Sequence, residues 1–487
     1  MPDSSYDLII EGGTLIDGSG APRRNADIGI LGDRIAGVGD LKHAATLERL
    51  NATDRVVAPG FIDVHTHDDY ALLAKPDMAY KASQGVATVV AGNCGISLAP
   101  LRFEGNRPPP PMDLLGDGYR FPKMADFFAA LDETPPALNA ALLCGHTTLR
   151  VGAMEDLQRG ATSTEIDVMR ENLTEALEAG AIGMSTGLYY PPANPAPTDE
   201  VIRLAELLGP VGALYTTHLR DEGAHLQESM EEAFEIGRAS GAKVVLSHHK
   251  SAGASNFGGT VASLALLDRV RQEQEVTLDV YPYDAASTVL SVDRVRDSRR
   301  VIVTWSEVRP DVAGRDLAEI AMEMGCTAEE AAEALLPAGA IYFLMDEADV
   351  QRVLQYPHAM VASDGLPHDI FPHPRLWGTF PRVLGHYSRD LGLLTLEDAV
   401  YRMSGLPAAE FRLTNRGTIA KGNYADIVIF DPDTVIDRAD FATPTKPAAG
   451  IENVFVNGKA VWRDGAATGE RPGIALRRQA LQAAAKS

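Results

Sequence analysis

The stretch Pro59-Gly60-Phe61-Ile62-Asp63-Val64-His65-Thr66-His67 places two histidines, two positions apart, at the end of a short apolar run. Alternate residues of a β-strand face the same side, so both imidazoles can point into one site. Two imidazoles at this spacing can bind one metal ion. The stretch therefore predicts a strand whose end carries a metal-binding pair, His65 and His67.

Seven more apolar runs follow, separated by stretches with helical periodicity such as residues 165–179 and 226–239. Strands that alternate with helices indicate an α/β fold with a parallel sheet. Eight such units predict a closed (β/α)8 barrel of the TIM type. The predicted strands are residues 61–65, 87–91, 137–143, 181–186, 213–217, 243–247, 276–281 and 360–363.

The two ends of the chain differ from this central part. Short alternating apolar runs between turn residues predict small antiparallel β structure at both ends, and Asn457-Gly458 is a strong hairpin signal. We expect residues 1–60 and 412–487 to form one small β-sandwich domain beside a barrel domain of residues 61–411. Residues 286–357 are too long for one crossover and contain a helical pattern at 317–336. We therefore expect a subdomain, about residues 288–355, inserted over the barrel mouth.

Composition excludes several classes of protein. With 67 acidic and 44 basic residues, the 487-residue chain has a net charge of −23, which disfavours binding to nucleic acid or to an anionic membrane. Cys94, Cys144 and Cys326 are widely spaced and odd in number, unlike a disulfide framework. A basic leader and a run of about 18 apolar residues are both absent from the sequence. We expect a cytoplasmic protein with a small-molecule partner.

Metal-binding residue types follow five of the predicted strands. Beyond His65 and His67 these are Cys94, His218, His248 and Asp364. Taken singly, each has a more common structural role, such as a hydrogen-bonded histidine, an inert buried cysteine or an Asp-Gly turn. All six, however, lie at the carboxyl ends of strands, where reactive groups of this fold gather. Their coincidence favours a metal centre.

Thiolate and imidazole ligands together suit zinc, and a catalytic zinc keeps one position for water. Cys94, His218 and His248 are the expected three-ligand set. Asp364 then serves as general base and acid. It takes a proton from metal-bound water as the hydroxide attacks, and returns that proton to the departing nitrogen.

These residues carry a resemblance that covers nearly the whole chain. The sequence resembles the amidohydrolase superfamily, and more closely its N-acyl-D-amino-acid deacylase (D-aminoacylase) family. The resemblance implies that Cys94, His218 and His248 hold a firmly bound zinc. It also implies that His65, His67 and Asp364 can hold a second, weaker metal. The motifs are the opening stretch, Gly92-Asn93-Cys94-Gly95, Thr217-His218-Leu219-Arg220, Ser247-His248-His249-Lys250 and Ala362-Ser363-Asp364-Gly365.

The same resemblance implies residues that bind the substrate carboxylate. They are Lys250, Tyr281, Ser287 and Arg375, whose cationic and hydroxyl groups suit a carboxylate. Arg294 resembles the position at which deacylases of acyl-D-glutamate carry an arginine for the side-chain carboxylate. The neighbouring Arg296 leaves that register open, and a solvated charge cluster or simple packing at the barrel rim is the alternative for all of these residues.

The sequence thus predicts a zinc hydrolase that cleaves N-acyl-D-amino acids, and Arg294 points to acyl-D-glutamate among them. Two alternatives share the fold. A cyclic-amide hydrolase of hydantoinase or dihydroorotase type normally uses a carboxylated lysine at the end of strand four, and residues 181–187 contain no lysine. A non-catalytic scaffold would be expected to have lost metal ligands, and all six are present.

Overall fold

Eight parallel strands form the centre of the computed structural model, which describes residues 5–103, 108–115 and 121–478. Each overlaps the run predicted for it, so the predicted barrel is confirmed. Predicted residues 1–4 and 479–487 of the sandwich domain lie outside the described residues. The strands are Phe61–Asp63, Val86–Ala91, Asn139–Gly145, Gly183–Gly187, Leu214–His218, Lys243–Leu246, Val276–Val280 and Ala359–Val361.

Each barrel strand pairs with the barrel strand before it and the barrel strand after it in the chain. The first and the eighth strands do not pair with each other, and other contacts close the barrel between them. Just beyond these two strands, the Asp364 N–H donates to the His65 carbonyl at 2.9 Å, and Thr66 bridges Gly365. The first strand ends at Asp63, so His65 and His67 lie in the segment after it rather than in the strand itself. This closure brings the segment with the histidines against Asp364.

Helices cover the outside of the barrel. The helix Ser163–Ala179 begins with a capping box, in which Thr162 and Glu165 exchange side-chain and backbone hydrogen bonds. Strands buried on both faces explain the continuous apolar runs of the sequence. The remaining helices outside the insertion are Ala71–Ala74, Ala79–Ala82, Met124–Glu133, His146–Ala153, Thr198–Ala205, Leu226–Ser240, Thr260–Val270, Glu347–Gln355, Arg375–Arg382, Val383–Asp390 (a π-helix), Leu396–Met403 and Gly405–Glu410, with short 3₁₀ turns at Met112–Leu115, Gly209–Val211 and Ala254–Asn256. A further 3₁₀ turn, Pro310–Val312, lies in the insertion.

Both ends of the chain contribute to a two-sheet sandwich, as expected. Leu8 and Ile28 of one sheet pack in the same apolar cluster as Val57, Ile427 and Phe455 of the other. The predicted hairpin turns at Asn457-Gly458. In spatial order, the first sheet contains Arg34–Gly39, Asp27–Leu31, Tyr6–Glu11 and Thr46–Asn51, and the second contains Ala466–Ala467, Lys459–Arg463, Ile451–Val456, Ile427–Phe430, Val56–Pro59, Thr14–Leu15 and Arg24–Asn25. Ala475–Leu476 pairs with the third barrel strand.

An insertion between the seventh and eighth strands contains a three-stranded antiparallel sheet, Ala285–Val289, Ala338–Phe343 and Val301–Ser306 in spatial order. It also contains the helix Val292–Asp297. The single helical pattern predicted at 317–336 is two helices, Leu317–Met324 and Ala328–Leu335. Gly325 ends the first in a left-handed conformation, and Thr327 starts the second with a capping box. The next helix, Glu347–Gln355, packs on barrel strands.

Among the described residues, no helix combines the length and the apolar character needed to cross a membrane.

Candidate metal centre

The six residues predicted as metal ligands meet at the carboxyl ends of the barrel strands, and all are buried. They form two groups that share Cys94. In each group the ligand atoms lie within 4.8 Å of one another. One group is Cys94, His218 and His248, and the other is His65, His67, Cys94 and Asp364.

Cys94 lies in a tight loop that its neighbours hold in place. The Asp69 carboxylate accepts the Gly92 N–H at 3.0 Å and the Leu98 N–H at 3.2 Å. Gly92 has a φ of +86°, and a Cβ there would lie 2.3 Å from the Leu143 carbonyl oxygen. The motif Gly92-Asn93-Cys94-Gly95 therefore needs its first glycine for a close approach to the third strand.

The spacing within the first group fits a zinc ion. Cys94 Sγ lies 3.4 Å from His248 Nε2 and 3.7 Å from His218 Nδ1. With bonds of about 2.3 Å to sulfur and about 2.05 Å to nitrogen, a tetrahedral zinc separates such ligand atoms by about 3.6 Å. The chemistry of the donors and their separation both fit zinc.

Three of these ligands have a strained backbone conformation. Cys94, His248 and Asp364 have φ values of +52°, +37° and +51°, in the left-handed region that side chains other than glycine rarely adopt. Each such residue costs of order 1–3 kcal/mol, and strained residues of this kind cluster at functional sites. The surrounding barrel therefore holds these side chains in directions that relaxed strand ends would not give.

The charges of the group favour the thiolate of Cys94. Burial alone would raise the pKa of Cys94, but His65 and His248 outweigh it and hold that pKa well below its ordinary value. Burial alone would likewise lower the pKa of His65, while Cys94, Asp279 and Asp364 raise it well above the ordinary value. The thiolate is the form of cysteine that binds metals.

Asp364 lies between the histidine pair and an arginine. Its Oδ1 is 3.2 Å from His67 Nε2 and 3.5 Å from His65 Nε2, and its Oδ2 is 3.0 Å from Arg375 Nη1. Burial alone would raise the pKa of Asp364, but Arg375 and His65 hold it well below the ordinary value. The carboxylate is therefore ionised and able to accept a proton.

Two acidic residues of the site were not predicted from the sequence. Asp279 accepts the His248 backbone N–H at 2.8 Å and lies 3.4 Å from His65 Nδ1. Its signal was a charged residue inside a fully buried strand, Val276–Val280. Glu222 follows His218 by four residues, and its Oε1 lies 3.1 Å from His248 Nδ1. Asp279 thus contacts the backbone of His248 and Nδ1 of His65, and Glu222 contacts Nδ1 of His248. In many metal sites, carboxylates orient the imidazole ligands through such contacts with the ring nitrogen that does not bind the metal.

Lys250 and Arg294 both face Glu222. Lys250 Nζ donates to Glu222 Oε1 at 2.5 Å and lies 2.7 Å from His248 Nδ1. Arg294 is buried, with Nη2 at 3.6 Å from Glu222 Oε2 and its guanidinium stacked 4.2 Å over the Tyr189 ring. The Arg296 side chain, by contrast, is 60% exposed and pairs with Asp293.

The other predicted carboxylate-binding residues are nearby. Arg375 stacks 4.6 Å over the Tyr281 ring and donates to the Ser287 carbonyl at 3.0 Å. The Ser287 hydroxyl is buried and has no hydrogen-bond partner among the described residues. Lys250, Tyr281, Ser287 and Arg294 line a cavity together with His67, His218, His248 and Asp364, whereas Arg375 does not line it.

Comparison with known proteins agrees with this geometry. Residues 48–462 match the model of the amidohydrolase family. The chain belongs to the amidohydrolase family. A D-aminoacylase from Alcaligenes xylosoxydans xylosoxydans is 54% identical over 98% of this chain and 98% of its own length. An N-acyl-D-glutamate deacylase from the same organism is 49% identical, again over 98% of each chain.

A solved structure also matches this chain over nearly its whole length. The N-acyl-D-glutamate deacylase from Bordetella bronchiseptica, in complex with zinc and a phosphonate inhibitor that mimics the tetrahedral intermediate, matches with a TM-score of 0.95 at 47% identity. The match covers 97% of this chain and 100% of that one. The resemblance to the D-aminoacylase family of amidohydrolases, inferred from five motifs, is thus confirmed.

Proposed function

We propose that this protein is a zinc-dependent hydrolase that cleaves the amide bond of N-acyl-D-amino acids to a carboxylate and a free D-amino acid. The observation that carries the proposal is the convergence of one thiolate and two imidazoles beside an ionised Asp364, next to a cavity with buried cations. Relatives of about half identity over nearly the whole chain are deacylases of this kind.

Cys94, His218 and His248 would hold the tightly bound zinc. His65, His67 and Asp364, with Cys94 shared, would hold a second and weaker divalent metal. When bound, the zinc would lower the pKa of water toward about 7 and polarise the acyl carbonyl. The remaining chemistry belongs to side chains of the protein.

Asp364 acts as the general base and then as the general acid. Its Oδ1 faces the centre, while Arg375 fixes Oδ2 and keeps the carboxylate ionised. The carboxylate removes the proton of the attacking water and passes it to the amide nitrogen as the C–N bond breaks. This transfer gives a neutral amine as leaving group in place of an unstable amide anion.

Lys250, Tyr281, Ser287 and Arg375 bind the α-carboxylate of the substrate. The Ser287 hydroxyl is buried without a partner among the described residues, which is costly unless a ligand supplies one. Arg294 receives the side chain, and its buried guanidinium favours D-glutamate. Lys250 and Arg294 would thus offer one cation to each carboxylate of such a substrate.

Neither alternative gains a specific observation in its favour. The fourth strand, Gly183–Gly187, contains no lysine that could be carboxylated to bridge two metals. Ser185 of that strand instead accepts the Gly95 N–H at 3.0 Å and supports the Cys94 loop. All six ligands are present, unlike the expectation for a scaffold. A cytoplasmic location agrees with three free cysteines, and cell fractionation would check it.

The test is a panel of N-acetyl-D-amino acids, including D-glutamate, D-leucine and D-methionine, with their L-forms and with hydantoin and dihydroorotate. We expect amine release from the D-forms alone. Equal cleavage of the L-forms, or turnover of the cyclic amides only, would contradict the proposal.

A further inference from the structure

One carboxylate faces the outer nitrogens of both imidazoles in the three-ligand group. The inner nitrogens, His218 Nδ1 and His248 Nε2, lie 3.7 Å and 3.4 Å from Cys94 Sγ. The outer nitrogen of His248, Nδ1, lies 3.1 Å from Glu222 Oε1. The outer nitrogen of His218, Nε2, lies 3.5 Å from Glu222 Oε2. Glu222 therefore contacts two of the three ligands, one with each of its oxygens.

The backbone holds Glu222 in place relative to both rings. Glu222 is buried, and its carbonyl accepts the Ala252 N–H at 2.7 Å. This hydrogen bond joins the segment after the fifth barrel strand to the segment after the sixth. The same two segments carry His218 and His248, so the carboxylate and the two imidazoles are fixed on one framework.

The contact between Glu222 and His218 joins two atoms that lack other partners. His218 Nε2 and Glu222 Oε2 are both buried without a hydrogen-bond partner among the described residues. An imidazole that binds a metal through Nδ1 carries its hydrogen on Nε2, where it can donate to a carboxylate. A shift of a few tenths of an ångström would bring the two atoms within hydrogen-bond distance.

Lys250 competes with Glu222 for the outer nitrogen of His248. Lys250 Nζ lies 2.7 Å from His248 Nδ1 and 2.5 Å from Glu222 Oε1. An imidazole nitrogen either carries a hydrogen and donates, or carries a lone pair and accepts. If Nδ1 accepts from Lys250, the hydrogen is on Nε2, the atom that faces Cys94. If Nδ1 donates to Glu222, Nε2 is free to bind a metal. The two contacts therefore have opposite effects on metal binding.

We propose that Glu222 is a positioning residue of the zinc site and that Lys250 opposes it. Glu222 orients both imidazoles and keeps their hydrogens on the outer nitrogens, which strengthens zinc binding. Lys250 draws on the outer nitrogen of His248, which weakens zinc binding. The inference rests on the proposed function, because it takes Cys94, His218 and His248 as the zinc ligands. Glu222 then serves the metal centre as well as the cationic side of the cavity.

The test is the Kd for zinc, measured by competition with a chromophoric chelator. Glu222→Gln has one acceptor oxygen in place of two, so at least one imidazole loses its acceptor. We expect the Kd to rise by about 10- to 100-fold, the usual effect of such a residue. The matched control is Glu232→Gln, since Glu232 is also ion-paired but contacts Arg220 and Thr198. It should stay near the wild-type value. A wild-type Kd in Glu222→Gln would overturn the positioning role.

Lys250→Met should change zinc binding in the opposite direction. We expect this variant to bind zinc at least as tightly as the wild type, since the competing cation is gone. For the same reason, the double variant Glu222→Gln/Lys250→Met should bind zinc more tightly than Glu222→Gln. A general loss of packing would instead weaken zinc binding in every variant. Weaker binding in Lys250→Met, or a double variant no tighter than Glu222→Gln, would overturn the opposition.

Two further results keep the test decisive. If Glu222→Gln does not fold, Lys250→Met tests the direction of the effect by itself, and weaker zinc binding in it overturns the inference. A wild-type protein that holds zinc and hydrolyses N-acyl-D-amino acids, with variants that violate the expected order, defeats the positioning role alone. A wild-type protein that hydrolyses none of these substrates defeats the proposed function, and this inference with it.

Discussion

Two buried charge clusters flank the candidate metal centre, and they differ in their relation to the cavity beside it. The first surrounds Lys81, which is fully buried and donates at 2.6 Å to both Asp63 Oδ2 and Ser363 Oγ. Asp68 Oδ2 lies 3.6 Å away, and the other oxygen of Asp68 accepts from Tyr80. Burial alone would lower the pKa of Lys81, but Asp63 and Asp68 raise it.

The second cluster consists of Glu222, Lys250 and Arg294, and it lines the cavity. Glu222 Oε2 and Arg294 Nε are buried without a hydrogen-bond partner among the described residues. Burial lowers the pKa of Lys250, although Glu222 opposes the shift. Burial alone would raise the pKa of Glu222, but Lys250, His218 and His248 hold it well below the ordinary value.

The difference separates support from recognition. The Lys81 cluster is directed inward and joins the first strand to the eighth where the barrel ladder is open. The Glu222 cluster is directed toward the cavity. Substitutions in each cluster should therefore affect different properties, stability in the first and substrate selection in the second.

Asp364 follows Ser363 of the first cluster and lines the same cavity as the second cluster. Its replacement should have the largest effect. Asp364→Asn removes the proton acceptor and leaves Cys94, His218 and His248 in place. We expect kcat to fall by about 10²- to 10⁴-fold while zinc is retained. Steady-state kinetics with metal analysis checks this, with the exposed Asp311→Asn as control. Near-normal turnover of Asp364→Asn would refute its assigned role.

A supporting role for Lys81 makes the next prediction. Lys81→Met leaves Asp63 buried without its cation, and breaking a buried ion pair in this way costs about 3–5 kcal/mol. We expect a clearly lower Tm in scanning calorimetry, whereas the surface variant Lys421→Met should melt like the wild type. If Lys81→Met and Lys421→Met melted at the same temperature, the first cluster would not be a support.

Substrate selection by the second cluster gives the smallest effect. Arg294→Leu removes one charged hydrogen bond, worth about 1.5–3 kcal/mol, from a substrate carboxylate. We expect kcat/KM for N-acetyl-D-glutamate to fall by about 10- to 100-fold, and that for N-acetyl-D-leucine to fall much less. Arg296→Leu, two positions away and exposed, is the matched control. Equal losses on both substrates would mean that Arg294 does not bind the side-chain carboxylate of the substrate.

Local patterns in the sequence predicted much of this molecule. Runs of apolar residues predict the eight strands, and Asn457-Gly458 predicts its hairpin. The ligands follow the strand ends because reactive groups of this fold lie there. The pairing of the buried charged residues could not be predicted, because their partners are distant in the sequence. Lys81 pairs with Ser363 across 282 positions, and Lys250 with Glu222 across 28. A buried lysine at position 81 resembles an ordinary helical residue until both neighbours are known.

The most direct test of the central claim is the zinc content of three purified proteins. If Cys94, His218 and His248 hold the metal, the wild type and Asp364→Asn should each carry about one tightly bound zinc per chain. Cys94→Ala should carry almost none under the same dialysis. A Cys94→Ala protein that retained zinc at the wild-type level would contradict the assigned centre.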